Sequence, residues 1–112
     1  MSDCVFCKIV ANELPASKVY EDDQIVVFHD IHPVAPVHLL IIPKAHIISL
    51  AECTVKDQDL LGRMLLLAPE LARTHGLAEG FRTMINTGRG GGQIVFHLHV
   101  HLFGGSDRLV QV

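Results

Sequence analysis

Polar and apolar positions alternate in several registers along the chain, and each register predicts an element. In "DCVFCKIVANELP" apolar residues at 5, 6, 9 and 10 follow Asp3. That spacing predicts a short helix with Asp3 as its N-cap, ended by Pro15. "SKVYED" and "QIVVFHD" flank Asp22-Asp23 and predict two strands joined by a turn. "IHPVAP" carries two prolines and predicts a loop. "VHLLIIPK" is apolar almost throughout, as a strand covered on both faces is, and Pro43 ends it. In "VKDQDLLGRMLLLAPELARTHG" the residues Leu60, Leu61, Met64, Leu65, Ala68, Leu71 and Ala72 recur on a helical period. They predict the main helix, kinked at Pro69 and stopped by Gly76 at C′. "FRTMINTG" alternates as a strand, "GRGGGQ" is a glycine loop, and "IVFHLHVHLF" predicts a last long strand. The order is helix, three strands, helix, two strands. It predicts an α+β fold, with a five-stranded antiparallel sheet, one main helix and a short N-terminal helix.

Composition narrows the class. The 112 residues suit a single domain over 1–112, and a hydrophobic fraction of 49% supplies a core. The net charge of −3 and the absence of a basic stripe argue against nucleic acid. The start "MSDCVFCKIV" has no basic segment followed by a long apolar one, and no apolar run is long enough to span a bilayer. Three cysteines are an odd number for a disulfide framework, so a reducing cytoplasm is the expected location. Eight histidines in so short a chain are the compositional oddity.

Three of them stand in "HLHVHLF", residues 97–103. Strand alternation puts His97, His99 and His101 on one face, roughly 6.6–6.8 Å apart, and Leu98, Val100 and Leu102 on the core side. Exposed histidines on an edge strand would be the plain explanation. A solvated face is more cheaply built from Thr, Lys or Glu, so the spacing favours metal binding or acid–base and nucleophilic work. Imidazole titrates near neutrality and can form a covalent bond to phosphorus. Directly before it, "NTGRGGGQ" can be a flexible hairpin loop or a nest of backbone N–H groups that cradles an anion. The neighbouring histidines favour the phosphate cradle.

"HLHVHLF" resembles the signature of the histidine triad family, His-φ-His-φ-His-φ-φ with φ apolar. The likeness extends over "FCKIVANELPASKVYED", "FHDIHPVAPVHLLIIPKAHI" and the Asn-to-Gln loop, and looks like the Hint branch of nucleoside phosphoramidate hydrolases. The resemblance implies a homodimer whose sheet continues across the subunit boundary, and purine nucleoside monophosphates as ligands. It implies His99 as the nucleophile that takes the nucleoside phosphoryl group. His101 would hydrogen-bond the phosphate and assist the leaving group, and His97 would orient its neighbour. Asn86, Gly92 and Gln93 fall where the family contacts phosphate or ribose, and Asp30 where a carboxylate holds the ribose hydroxyls. Val5, Phe6, Ile9, Phe28 and Ile31 match the walls of the base pocket. Ile94 takes a slot where many relatives place Ser or Thr, so a side-chain donor near the phosphate is missing. The tail "GGSDRLVQV" is short beside longer family tails that help shape substrate choice. Two other activities fit the same residues: hydrolysis of dinucleoside polyphosphates, and non-catalytic nucleotide or partner binding.

"CVFC" can be a redox motif, two small apolar residues on a helix, or half of a metal site. Zinc takes four Cys and His ligands, and His46 and His97 are candidates for the other two. Some bacterial members of the family bind zinc in this way, so structural Zn²⁺ on Cys4, Cys7, His46 and His97 is expected. Without metal, His46 would be free to join a proton relay. His29, His32, His38 and His75 are expected to be structural or solvated, and Cys53 a buried small hydrophobe.

Overall fold

The structure is a computed structural model and describes residues 3–105. Positions 106–112 of the tail lie outside the described residues. A short helix α1 (Val5–Val10) precedes strands β1 (Lys18–Glu21), β2 (Ile25–His29) and β3 (Val37–Pro43). Helix α2 (Gln58–Thr74) follows, and then β4 (Arg82–Met84) and β5 (Val100–Gly104). The strands form one sheet in the order β1-β2-β3-β5-β4, with every neighbouring pair antiparallel. Among the described residues no helix is long and apolar enough to cross a membrane.

Alternation along the central strands explains why both sheet faces are buried. Ile25, Val27, Leu39, Ile41, Leu98, Val100 and Leu102 pack with Met64, Leu67, Ala68 and Leu71 of α2. On the opposite face Val26, Phe28, Leu40 and Ile42 pack with Phe6 and Ile9 of α1. His97, His99 and His101 have the second parity, so they fall on the α1 side.

Local chemistry sets the ends of the elements. Asp22 accepts from the Gln24 and Ile25 N–H groups, 2.8 Å each, and so makes the β1–β2 turn. Gly76, at φ 80°, stops α2 in the left-handed conformation that favours glycine. Leu77 N–H then reaches back to Ala72 O at 2.8 Å. Helix α2 runs through Pro69.

Three expectations need correction. Cys4, not Asp3, caps α1, because its Sγ accepts from Cys7 N–H. Leu65 is exposed and Leu67 is buried, so the packed face of α2 is centred on Met64, Ala68 and Leu71. The last strand begins only at Val100. The β3–β5 ladder ends at Ile41↔Val100, and the next facing positions, Ile42 and His99, do not pair. Leu98 N–H donates to Ile47 O instead, at 2.7 Å. His97 and His99 therefore sit on an irregular segment that keeps the alternation without the ladder.

Candidate active site

A cavity of about 480 Å³ opens between α1, the β2–β3 loop and the glycine loop. Its apolar end is built from Phe6, Ile9, Leu14 and Phe28. Phe6, Ile9 and Phe28 are core and cavity wall at once, since each is buried in the α1-side cluster. Phe6 meets Phe28 edge-on at 5.5 Å. Val5 and Ile31 line the rim and are exposed. At the polar end stand Asp30, Asn86, Gly92, His99 and His101, with Ile94 projecting beside them.

Hydrogen bonds fix which nitrogen of each imidazole carries the proton. Carbonyl oxygens only accept, so each nitrogen bonded to one is N–H. His99 Nδ1 donates to His97 O at 2.7 Å, which leaves Nε2 with its lone pair. His97 Nε2 donates to Pro43 O at 2.8 Å, which leaves its Nδ1 as the free base. His38 Nδ1 accepts from Val34 N–H at 3.1 Å, so its Nε2 is the donor. That N–H lies 2.9 Å from His101 Nδ1. His101 is thereby left with its proton on Nε2. One backbone amide thus sets the tautomers of two hydrogen-bonded imidazoles.

Burial keeps these rings neutral. It lowers the pKa of His99 even though His97 O stabilises the charged form. His97 and His38 are lowered by burial as well. His101 is held down to about 4 by burial and by its neighbours His99 and His38. His99 and His101 meet edge-on with ring centroids 4.9 Å apart.

Of the two expectations for His38, structural or solvated, the structure supports the first: it is buried, bonds His101 and lies 3.4 Å from Asp30 Oδ2, which brings it to the triad. Asp30 Oδ1 accepts from His32 N–H at 2.8 Å, which fixes the carboxylate at the cavity wall. His29 and His32 line the cavity and are exposed.

The glycine loop differs from the expected nest. Gly91 and Gln93 donate their N–H groups to Gly88 O, and Gly92 donates to Arg89 O. Those three donors close the loop on itself. Gln93 is buried, and its side chain ties the turn. Its Oε1 accepts from Gly88 N–H at 2.8 Å, and its Nε2 donates to Ile48 O and Val95 O at 2.7 and 3.0 Å. Gln93 is placed behind the cavity as a clasp, whereas Gly92, Asn86 and Ile94 face it.

A second cluster adjoins the first. Cys4 Sγ and Cys7 Sγ lie 3.4 and 3.6 Å from His97 Nδ1, and Cys7 Sγ lies 3.3 Å from His46 Nδ1. The four ligand atoms are all within 4.8 Å of one another. A sulfur and a nitrogen on one tetrahedral zinc are about 3.5 Å apart, given their ordinary bond lengths. The donor set fits such an ion, and the Pro43 carbonyl on the far nitrogen of His97 supplies the outer support that a ligating imidazole usually has. The ring of His97 thus points at the cysteines, and His97 orients His99 through its backbone carbonyl.

A HIT domain model matches residues 11–108. The chain belongs to the HIT domain family. It is 58% identical over 104 residues to protein HitA of Neisseria gonorrhoeae, covering 93% of this chain and 97% of that one. The solved structure of a HIT family hydrolase from Clostridium thermocellum superposes with a TM-score of 0.94 at 43% identity, covering 100% and 98% of the two chains. A histidine triad nucleotide-binding protein from Candida albicans does so at 0.81 and 31% identity, covering 98% and 86%. The observed sheet order and single main helix are those of the HIT fold.

Proposed function

We propose that this protein hydrolyses the phosphorus–nitrogen bond of purine nucleoside 5′-phosphoramidates through a nucleotidyl-His99 intermediate. The observation that carries the proposal is the 2.7 Å bond from His99 Nδ1–H to His97 O, which fixes the tautomer so that, in the ring that burial keeps neutral, Nε2 is the nucleophilic nitrogen. The apolar wall of Phe6, Ile9 and Phe28 suits a purine, and Asp30 suits ribose hydroxyls. The relatives' descriptions as a hydrolase and as a nucleotide-binding protein agree with both halves of this reading.

In the first step Nε2 of His99 attacks phosphorus, the P–N bond to the amine breaks, and the leaving nitrogen takes up one proton. In the second, water attacks phosphorus, the bond to His99 breaks, and one proton is returned. His101 Nε2–H stands at the right end of the cavity to pass both. A bound phosphate anion would raise the pKa of His101 and so form the acid; its second proton then sits on Nδ1, and His38 Nε2–H turns to Asp30 Oδ2, 3.4 Å away.

Zinc on Cys4, Cys7, His46 and His97 would brace this arrangement, giving α1 a fixed anchor on the segment before β5. It would supply structure, not a Lewis acid, since the four ligands leave no open position. A homodimer is part of the same proposal. Strand β4 is a sheet edge, and Met84 on it is exposed, as are Phe81 just before it and Leu66 on α2.

Turnover of a fluorogenic adenosine phosphoramidate by the native protein and by His99→Ala tests the activity. We expect hydrolysis by the former and a rate lower by at least about 10³-fold in the latter. Equal, near-zero rates would leave a nucleotide-binding role, and faster cleavage of a dinucleoside polyphosphate would move the substrate class.

A further inference from the structure

We propose that Cys4 and Cys7 are a peroxide-sensitive clamp on the nucleophile, so that a disulfide between them lowers nucleotide binding and turnover. The inference rests on the nucleotide reading of the cavity for its consequence, and on the cysteine–histidine geometry for its cause. Three contacts connect the thiols to the reacting end of the site. His97 touches both sulfur atoms through Nδ1, and its own carbonyl holds His99 Nδ1–H at 2.7 Å. Phe6 lies between the two cysteines on α1 and meets both His97 and His99 edge-on, at 5.8 and 5.1 Å. Cys4 Sγ caps α1 by accepting from Cys7 N–H at 3.4 Å. The position of the thiols therefore sets the helix cap, the base wall and the carbonyl that fixes the tautomer of the nucleophile.

The sulfur atoms lie within 4.8 Å of each other. A disulfide needs them at about 2.05 Å. Closing that gap draws both away from His97 and His46 and moves the first turn of α1. The pair is reachable: both cysteines are partly exposed, and an open hollow lined by Asp3, Val5, His46 and Phe96 adjoins Cys4. One thiol attacks the peroxide oxygen, giving a sulfenic acid and water. The second thiol attacks that sulfur, forming the disulfide and expelling a second water. The thiols lose two electrons, which the peroxide gains. Where zinc is held by the thiolates, two protons from solvent complete the same balance and the ion is released.

The test uses the full chain carrying Cys53→Ser, which removes the third thiol away from both clusters. Hydrogen peroxide is added, and AMP affinity is measured by calorimetry, released zinc with a chromogenic chelator, and the ring N–H signal of His99 by NMR. We expect a mass loss of two hydrogens mapped to Cys4–Cys7 and a five- to tenfold weaker AMP affinity, roughly the span of a modest coupling. The His99 ring proton should exchange faster, and dithiothreitol should restore all of these. A Cys4–Cys7 disulfide that leaves AMP affinity and the His99 signal unchanged would overturn the proposal. So would oxidation of either thiol to sulfinic acid without a disulfide. In Cys4→Ser with Cys53→Ser, affinity should no longer respond to peroxide, and a persisting response would also overturn it. If the reduced protein binds no AMP, the nucleotide reading fails, while the His99 ring proton still reports on the clamp.

Discussion

His38 Nε2 lies 2.9 Å from His101 Nδ1, and Val34 N–H bonds the other nitrogen of His38. Because an amide N–H only donates, this chain fixes His38 as the donor and His101 as the acceptor, and presents the His101 proton on Nε2. On the proposed mechanism His38 acts as a positioning residue, through His101.

Replacing His38 with Ala should lower kcat roughly 10- to 100-fold, a fraction of what a general acid–base group supplies. KM should change little, since His101 can still bond the phosphate. His38→Gln keeps an amide donor within reach of His101 Nδ1 and should recover part of the loss. Steady-state kinetics of the two variants decide this; equal kcat in His38→Ala and the native protein would remove His38 from the machinery.

With the pKa of His101 held down to about 4, binding of a phosphate at the proposed site would draw a proton onto it. The groups facing it are His99, His38 and Asp30, and of these only Asp30 opposes the shift. Calorimetry of AMP binding in buffers of different ionisation enthalpy should show net proton uptake near pH 6, with affinity rising as pH falls from 7 toward 5. His101→Gln should abolish the uptake. Proton release on binding would contradict this.

The same shifts link stability to pH. His38 and His101 have folded-state pKa values below the ordinary imidazole value. Above about pH 6.5 both folded and unfolded chains hold these rings neutral, and there is no effect. Below it the unfolded chain binds protons that the folded chain refuses, so stability falls as pH drops toward 4 and flattens beneath. Urea midpoints should be lower at pH 5 than at pH 7, and His101→Gln should reduce the difference.

These assignments were partly legible in the chain itself. Alternation in "HLHVHLF" placed three imidazoles opposite Leu98, Val100 and Leu102, and that parity holds in the structure. The signal for His38 was present too: one imidazole in a strand otherwise apolar on both faces, with the parity of Leu40 and Ile42. What the chain could not display was cross-strand register, which sets Leu40 against His101 and brings His38 beside it. Loop closure was equally hidden. Nothing in "GRGGGQ" reveals that Gln93 turns inward to hold Gly88, Ile48 and Val95. The length of the last strand was hidden for a related reason, since Leu98 N–H bonds Ile47 O, on a segment far away in the chain, instead of β3.

Gln93→Ala should destabilise the fold by about 2–4 kcal/mol, because a buried donor and acceptor lose three bonds together. Phosphate affinity should fall as the loop loosens. Chemical denaturation reads the first and AMP calorimetry the second. A stability change under about 0.5 kcal/mol, the range of an ordinary surface substitution, would show that the clasp does not hold the loop.

Metal content offers an independent check on the cysteine–histidine cluster. Protein purified without added metal should carry close to one zinc per chain by elemental analysis, and His46→Ala should lose most of it. Its removal by chelation should lower the thermal midpoint. Zinc-free protein with the same midpoint before and after addition of the ion would count against the site.

The central claim is that His99 Nε2 bonds phosphorus, and rapid quenching of the native protein with an adenosine phosphoramidate tests it most directly. The account predicts an adenylyl mass on the peptide that contains His99, acid-labile as a phosphorus–nitrogen bond should be, and absent from His99→Ala. Steady turnover with the adenylyl group on another residue, or full activity in His99→Ala, would contradict it.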